Sequence, residues 1–199
     1  MRAMLPAILA LLIAQPALAE QSREPSAAEA PAAARKSPAE MRADALDSLF
    51  ARLHRVRAGE EAKLAEQAIW KLWKSSDSPA AEVLIGQAER AMDGRAFDAS
   101  LGILDRLVEV HPDFAEAWNK RATLYFMMGR FKDSLADIDA VLNLEPRHFG
   151  ALAGRGMIYQ KEKNISGALD AFRDALAINP NMPSVKDAVK QLERLEQPI

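Results

Sequence analysis

Residues 115–148 read AEAWNKRATLYFMMGRFKDSLADIDAVLNLEPRH, and residues 149–182 read FGALAGRGMIYQKEKNISGALDAFRDALAINPNM. Laid one over the other they form columns: Trp118 with Leu152, Ala122 with Gly156, Tyr125 with Tyr159, Ser134 with Ala168, Ile138 with Phe172 and Val141 with Ala175. The preceding stretch, 81–114, falls into the same register through Leu84, Ala88, Ser100, Leu104 and Leu107, with Ala91 breaking the tyrosine column. Pro112, Pro146 and Pro180 close the three units at a constant step of 34 residues. A fixed period of this length marks a stack of supersecondary units rather than a single irregular core.

The columns carry a physical reading. Ala88, Ala122 and Gly156 lie in the first half of each unit, and Ser100, Ser134 and Ala168 in the second. Small residues where two helices cross let the axes approach, while larger neighbours fill the flanks. Asp93-Gly94, Met128-Gly129 and Lys163-Asn164 supply turns between the halves. Each proline disfavours helical geometry at the residue before it, so helices end at His111, Glu145 and Asn179. A lone helix pair cannot bury its own apolar face, so the units must stack.

These residues and their spacing resemble the tetratricopeptide repeat (TPR), and the chain as a whole resembles an exported bacterial member of that family. The repeats span about 81–114, 115–148 and 149–182, inside a region 79–182; the third is nearest the family pattern and the first lacks the aromatic pair. The resemblance implies an all-α fold, a right-handed α-solenoid of helix–turn–helix repeats. It also implies a concave groove, lined by the first helix of each unit, that takes a peptide or a helix from another protein. Carried over position by position, the groove presents Glu82, Ile85, Glu89 and Met92, then Glu116, Asn119, Thr123, Phe126 and Met127, then Ala153, Met157 and Gln160. The candidate binding residues among these are Glu89, Met92, Asn119, Thr123, Phe126, Met127, Met157 and Gln160. Methionine adapts to several partners, which suits such a surface. Relatives that grip acidic tails use a clamp rich in lysine and asparagine. Ile85, Glu89 and Lys120 stand at the corresponding places here, so the clamp is absent, and Glu82, Glu89 and Glu116 favour a basic or neutral segment.

The flanks read differently. Ser37-Pro38-Ala39-Glu40 is a capping box with proline at the first helical position. It opens a helix pair over 38–78, expected to be a degenerate repeat or cap. Trp73 is expected to lie buried under the first full repeat, and Trp70 or the basic run Arg52–Arg57 is an alternative contact surface. Residues 183–199 form a C-terminal capping helix with Val185, Val189, Leu192 and Leu195 on one face. Residues 20–37 are rich in Ala, Pro, Ser and charge, the composition of a linker that stays disordered. Residues 1–19 carry an early arginine, a short apolar run and Ala17-Leu18-Ala19, the pattern of a secretory signal cleaved after Ala19 into the periplasm. Retention as a membrane anchor is the rival reading; the run is short for a span, so no stable insertion is expected once it is cleaved.

Composition removes other functions. The chain of 199 residues has 26 Lys+Arg against 28 Asp+Glu, a balance unlike that of a nucleic-acid binder. It has no cysteine, which removes disulfides, thiolate metal sites and cysteine nucleophiles. Nothing in the spacing of the three histidines, His54, His111 and His148, suggests a metal site; His111 and His148 read as surface turn residues. Gly-x-Ser-x-Gly, phosphate-loop and His-Glu-x-x-His motifs are missing. The expectation is a non-catalytic binding scaffold or assembly chaperone without cofactor or metal. An enzyme or small-ligand binder is the alternative from another class.

Overall fold

The computed structural model describes residues 36–56 and 59–196. The signal and most of the linker expected from the sequence lie outside the described residues. Within them the secondary structure is all helical: α1 Pro38–Arg55, α2 Glu60–Lys74, α3 Pro79–Asp93, α4 Phe97–Val110, α5 Ala115–Met127, α6 Phe131–Leu144, α7 Phe149–Lys161, α8 Ile165–Ile178 and α9 Pro183–Glu196. Three helix pairs, α3–α4, α5–α6 and α7–α8, are the three repeats, and they stack into a helical solenoid.

The repeat columns become the core. Leu104, Ile138 and Phe172 are buried in equivalent places, as are Leu107, Val141 and Ala175. The small-residue columns meet at the crossings. Ser100 donates its hydroxyl to the Ala88 carbonyl at 3.0 Å, and Ser134 donates to the Ala122 carbonyl at 2.7 Å. A side chain of this size both permits the approach and satisfies a buried donor. In the third repeat the approach is closer. A Cβ on Gly156 would lie 2.5 Å from the Phe172 ring, so glycine is what lets phenylalanine fill that layer.

Each first helix ends the same way. The amides of Ala96, Arg130 and Asn164 reach back five residues to Ala91, Tyr125 and Tyr159, while those of Arg95, Gly129 and Lys163 reach back three. This is a Schellman ending, and it needs a left-handed residue. The φ angles are 57° at Arg95, 75° at Gly129 and 60° at Lys163. The turn in the first repeat therefore pivots on Arg95, one residue beyond the glycine the sequence suggests. The second helices stop at His111, Glu145 and Asn179, each outside the helical region before its proline.

The capping box forms: Glu40 accepts the Ser37 amide at 2.7 Å and Ser37 Oγ accepts the Glu40 amide at 3.2 Å. At the far end α9 buries Val185 and Leu192 against α8, whereas Leu195 is 71% exposed and leaves that face.

The position of α1–α2 departs from a simple cap ahead of the first repeat. The core of α3–α4 draws its members from α3, α4, α5 and Phe114 before it, and takes none from α1 or α2. Leu46, Phe50, Leu53, Ala65, Ile69 and Trp73 cluster instead with Phe149 of α7, and with Ile178 and Met182 around the α8–α9 turn. Trp73 is buried, as expected, but under the third repeat. His54 bridges the Phe50 and Ala177 carbonyls at 2.9 Å each, and Asn181 donates to the carbonyls of Leu53 and Val56.

Candidate functional site

The first helices α3, α5 and α7 present the groove positions, and these divide into an open part and a covered part. The open part is a cleft of about 170 Å³ between α5 and α7, reaching down to Ser134 and Ile138 of α6. Its walls include Asn119, Thr123, Phe126, Ala153, Gly154 and Met157. Small residues on α7 leave the space, and Phe126, tilted against Phe131 at 5.6 Å between centroids, supplies an apolar floor. Met157 is 45% exposed at the edge. A second hollow, between α3 and α5, is lined by Glu89, Met92, Asp93, Lys120, Thr123 and Met127.

The candidate residues fare unequally. Phe126, Thr123 and Met157 share the open cleft, and Met127 is exposed over the second hollow. Thr123 donates its hydroxyl to the Asn119 carbonyl, so its methyl is the free feature. Asn119 lines the cleft but is largely buried, with Nδ2 donating to Glu116 at 2.9 Å. Met92 belongs chiefly to the core of the first repeat. Gln160 is exposed near the end of α7 and lines neither hollow.

The acidic end is covered and charge-balanced, which corrects the expectation of a free acidic rim. Glu116 is fully buried. His148, read from the sequence as a surface turn residue, is also fully buried. The His148 ring accepts the Ala151 amide at Nδ1, capping α7, so the ring proton belongs on Nε2, 3.3 Å from Glu116 Oε2. Lys120 Nζ lies 2.8 Å from Glu89 and 3.3 Å from Glu116, and Lys74 of α2 lies 2.8 Å from Glu89. Burial opposes the charge on Lys120, but Glu116 and Glu89 outweigh it and raise its pKa above the ordinary lysine value. Burial likewise opposes ionisation of Glu89, and Lys120 with Lys74 outweighs that, holding the carboxyl below its usual range. Trp73 stacks on His148 at 4.0 Å, and Trp70 meets the Phe149 ring edge-on at 5.5 Å. The tryptophan pair on α2 was visible in the sequence; its partner His148 was not, because nothing in the repeat period links residue 73 to residue 148.

On the other face Arg121 clasps Asp137 through two hydrogen bonds of 2.8 Å and reaches Asp105 with a third. Asp137, which the register places on the outer helix, is therefore a buried structural group. Among the described residues no cluster of His, Asp and Glu has the arrangement of a metal site.

Comparison with known proteins now defines the class. The tetratricopeptide repeat family signature matches residues 85–131 and 119–183. A TPR repeat-containing protein of Rhizobium etli is 38% identical over 147 residues, covering 74% of this chain and 72% of that one. The chain belongs to the tetratricopeptide repeat family, a class of modules that typically mediate protein–protein interaction rather than catalysis. The SGT1 homologue of Bos taurus is 32% identical over 81 residues, 41% of this chain and 24% of its own length, so this chain spans about a quarter of that relative. Among solved structures, the first TPR domain of Spaghetti (RPAP3), bound to an HSP90 peptide, superposes with a TM-score of 0.57 at 18% identity, over 60% of this chain and 94% of that one. The Sgt2 TPR domain of Aspergillus fumigatus gives 0.55 at 16% identity, over 61% and 87%. At such identity these two show the shared fold.

Proposed function

We propose that this protein is a non-catalytic scaffold or assembly chaperone of the bacterial cell envelope that holds a segment of another protein against its inner face. The open cleft between α5 and α7 carries the reading: it is apolar, concave and edged by an exposed methionine. Buried anchor residues in such a pocket supply most of the binding energy of a short segment. The solved relative with a bound peptide supports a segment as ligand. The envelope address rests on the N-terminal signal pattern, and N-terminal sequencing of the mature protein tests its cleavage: a start at Glu20 fits export and cleavage, whereas a retained Met1 overturns cleavage and favours the membrane-retained reading.

The groove is tested by photo-crosslinking in cells from Met157, with a control probe at Asp174 on the exposed side of α8. Capture of one protein from Met157 alone is expected. Equal capture from both positions, or unaltered binding by Phe126→Glu, overturns the reading.

A further inference from the structure

We infer that the acidic end of the inner face is a docking site for an amphipathic helix bearing two aromatic residues and a terminal lysine, filled in this structure by the chain's own α2 and opened when a partner helix of the same pattern displaces it. Glu82, Glu116 and Gly150 occupy one column of the repeat, one from each unit. The α2 segment meets all three units along that column. Just past its end, the Ser76 amide donates to Glu82 at 2.8 Å. Trp73 stacks on the His148 ring that faces Glu116. Trp70 covers Gly150, where a Cβ would lie 2.6 Å from the indole. This is how a bound helix lies in a groove, its aromatic anchors one turn apart. Charge agrees, since Lys74 enters beside Glu89.

The seam is built to part. Among the described residues, the buried side-chain polar atoms without a hydrogen bond are Trp73 Nε1, Glu116 Oε1 and Asn181 Oδ1, and each lies where α1–α2 meets the repeats. Glu116 Oε1 has the Lys120 ammonium at 3.3 Å as its charge partner. Buried polar atoms left without a hydrogen bond weaken an interface relative to the fully satisfied repeat crossings. Beside the apolar cluster with Phe149, Ile178 and Met182, the polar ties include Arg147 to Asp47, Asn179 to Glu66, His54 to the Ala177 carbonyl, and Asn181 to the Leu53 and Val56 carbonyls. The identity of the partner helix rests on the inner-face reading above, whereas release of α2 does not.

Hydrogen exchange on the full chain tests release directly. Amides of α1–α2 are expected to exchange at least tenfold faster than those of α5–α8, as a separate opening unit; equal rates overturn the proposal. The site is tested with a labelled peptide of residues 60–78. It is titrated against the full chain, against Trp73→Ala, and against a chain carrying Asp47→Cys and Arg147→Cys bridged by a short bis-maleimide. The absence of native cysteine makes that bridge unique. Binding at least tenfold tighter to Trp73→Ala than to the unaltered chain, and at least tenfold weaker to the bridged chain than to the same chain unbridged, is expected. Equal binding to bridged and unbridged chains overturns the site. Exchange and bridging both keep the two tryptophans and test the proposal independently of the fold of Trp73→Ala. Chains that pair by exchanging α2 in sedimentation would make a second copy the occupant and overturn the partner helix. Failed crosslinking at Met157 bears on the open cleft only.

Discussion

The helix pairs α7–α8 and α1–α2 are each joined by a short link, yet different forces hold them in place. Between α7 and α8, Gly156 admits Phe172, Leu169 and Ala175 are fully buried, and no side-chain polar atom is stranded among the described residues. Between α1–α2 and the repeats, four aromatic rings, two buried polar residues and a few ion pairs do the holding, with three polar atoms unsatisfied. The first interface recurs every repeat and is dominated by shape. The second occurs once and adds stacked rings and charges to an apolar cluster. A solenoid is stabilised by nearest-neighbour interfaces, so the second can open while the first stays closed.

The largest effect should come from the repeat interior. Phe172→Ala empties the layer beside Gly156 and should cost about 3–5 kcal/mol. Adding Gly156→Ala to it should restore part of that loss, and strict additivity in denaturant melts would break the claim that the two residues share one space. Ala122→Leu comes next. It overpacks the equivalent crossing in the second repeat, where Ser134 donates to the Ala122 carbonyl, at about 1–3 kcal/mol. An unchanged melting curve would show that this crossing is looser than the third.

Gly150→Ala sharpens the contrast from the other side. Its Cβ would collide with Trp70, a half-buried ring that can swing away, while alanine favours the helix by about 1 kcal/mol. Global stability should shift by less than about 1 kcal/mol, with faster exchange confined to α1–α2. Acceleration throughout α5–α8 would mean the two interfaces melt together.

The smallest effect is expected at Glu89, whose carboxyl Lys120 and Lys74 hold below 4.5 against the pull of burial. A depressed carboxylate lends stability that is complete above its ordinary value and lost as pH falls through the lowered one. Tryptophan fluorescence followed downward from pH 5 should therefore report loosening of α2 as Glu89 loses its charge. Glu89→Gln should flatten that acid limb at about 0–1 kcal/mol in neutral solution. An identical acid limb would remove Glu89 from the seam's charge balance.

Much of this is legible in the sequence. The 34-residue columns, the prolines after His111, Glu145 and Asn179, and the Ser37–Glu40 box act within a helix or between consecutive helices, where sequence spacing maps onto space directly. The cleft residues Thr123, Phe126 and Met157 were legible for the same reason, since one face of each first helix repeats with the period. Met92 and Asn119 were harder: a groove position and a core position differ there by a small rotation about the helix axis, which the packing of the next repeat sets.

The sequence by itself determined the repeat, its register and its helix ends, because short-range sterics and backbone hydrogen bonding decide them. Only the tertiary structure decided that α2 lies across all three units, that His148 is buried beneath Trp73, and that Lys74 answers Glu89. Trp73 with His148 and Lys74 with Glu89 join residues 75 and 15 positions apart with no periodic signal. They exist because curvature of the stack brings its third repeat back to a helix that precedes the first.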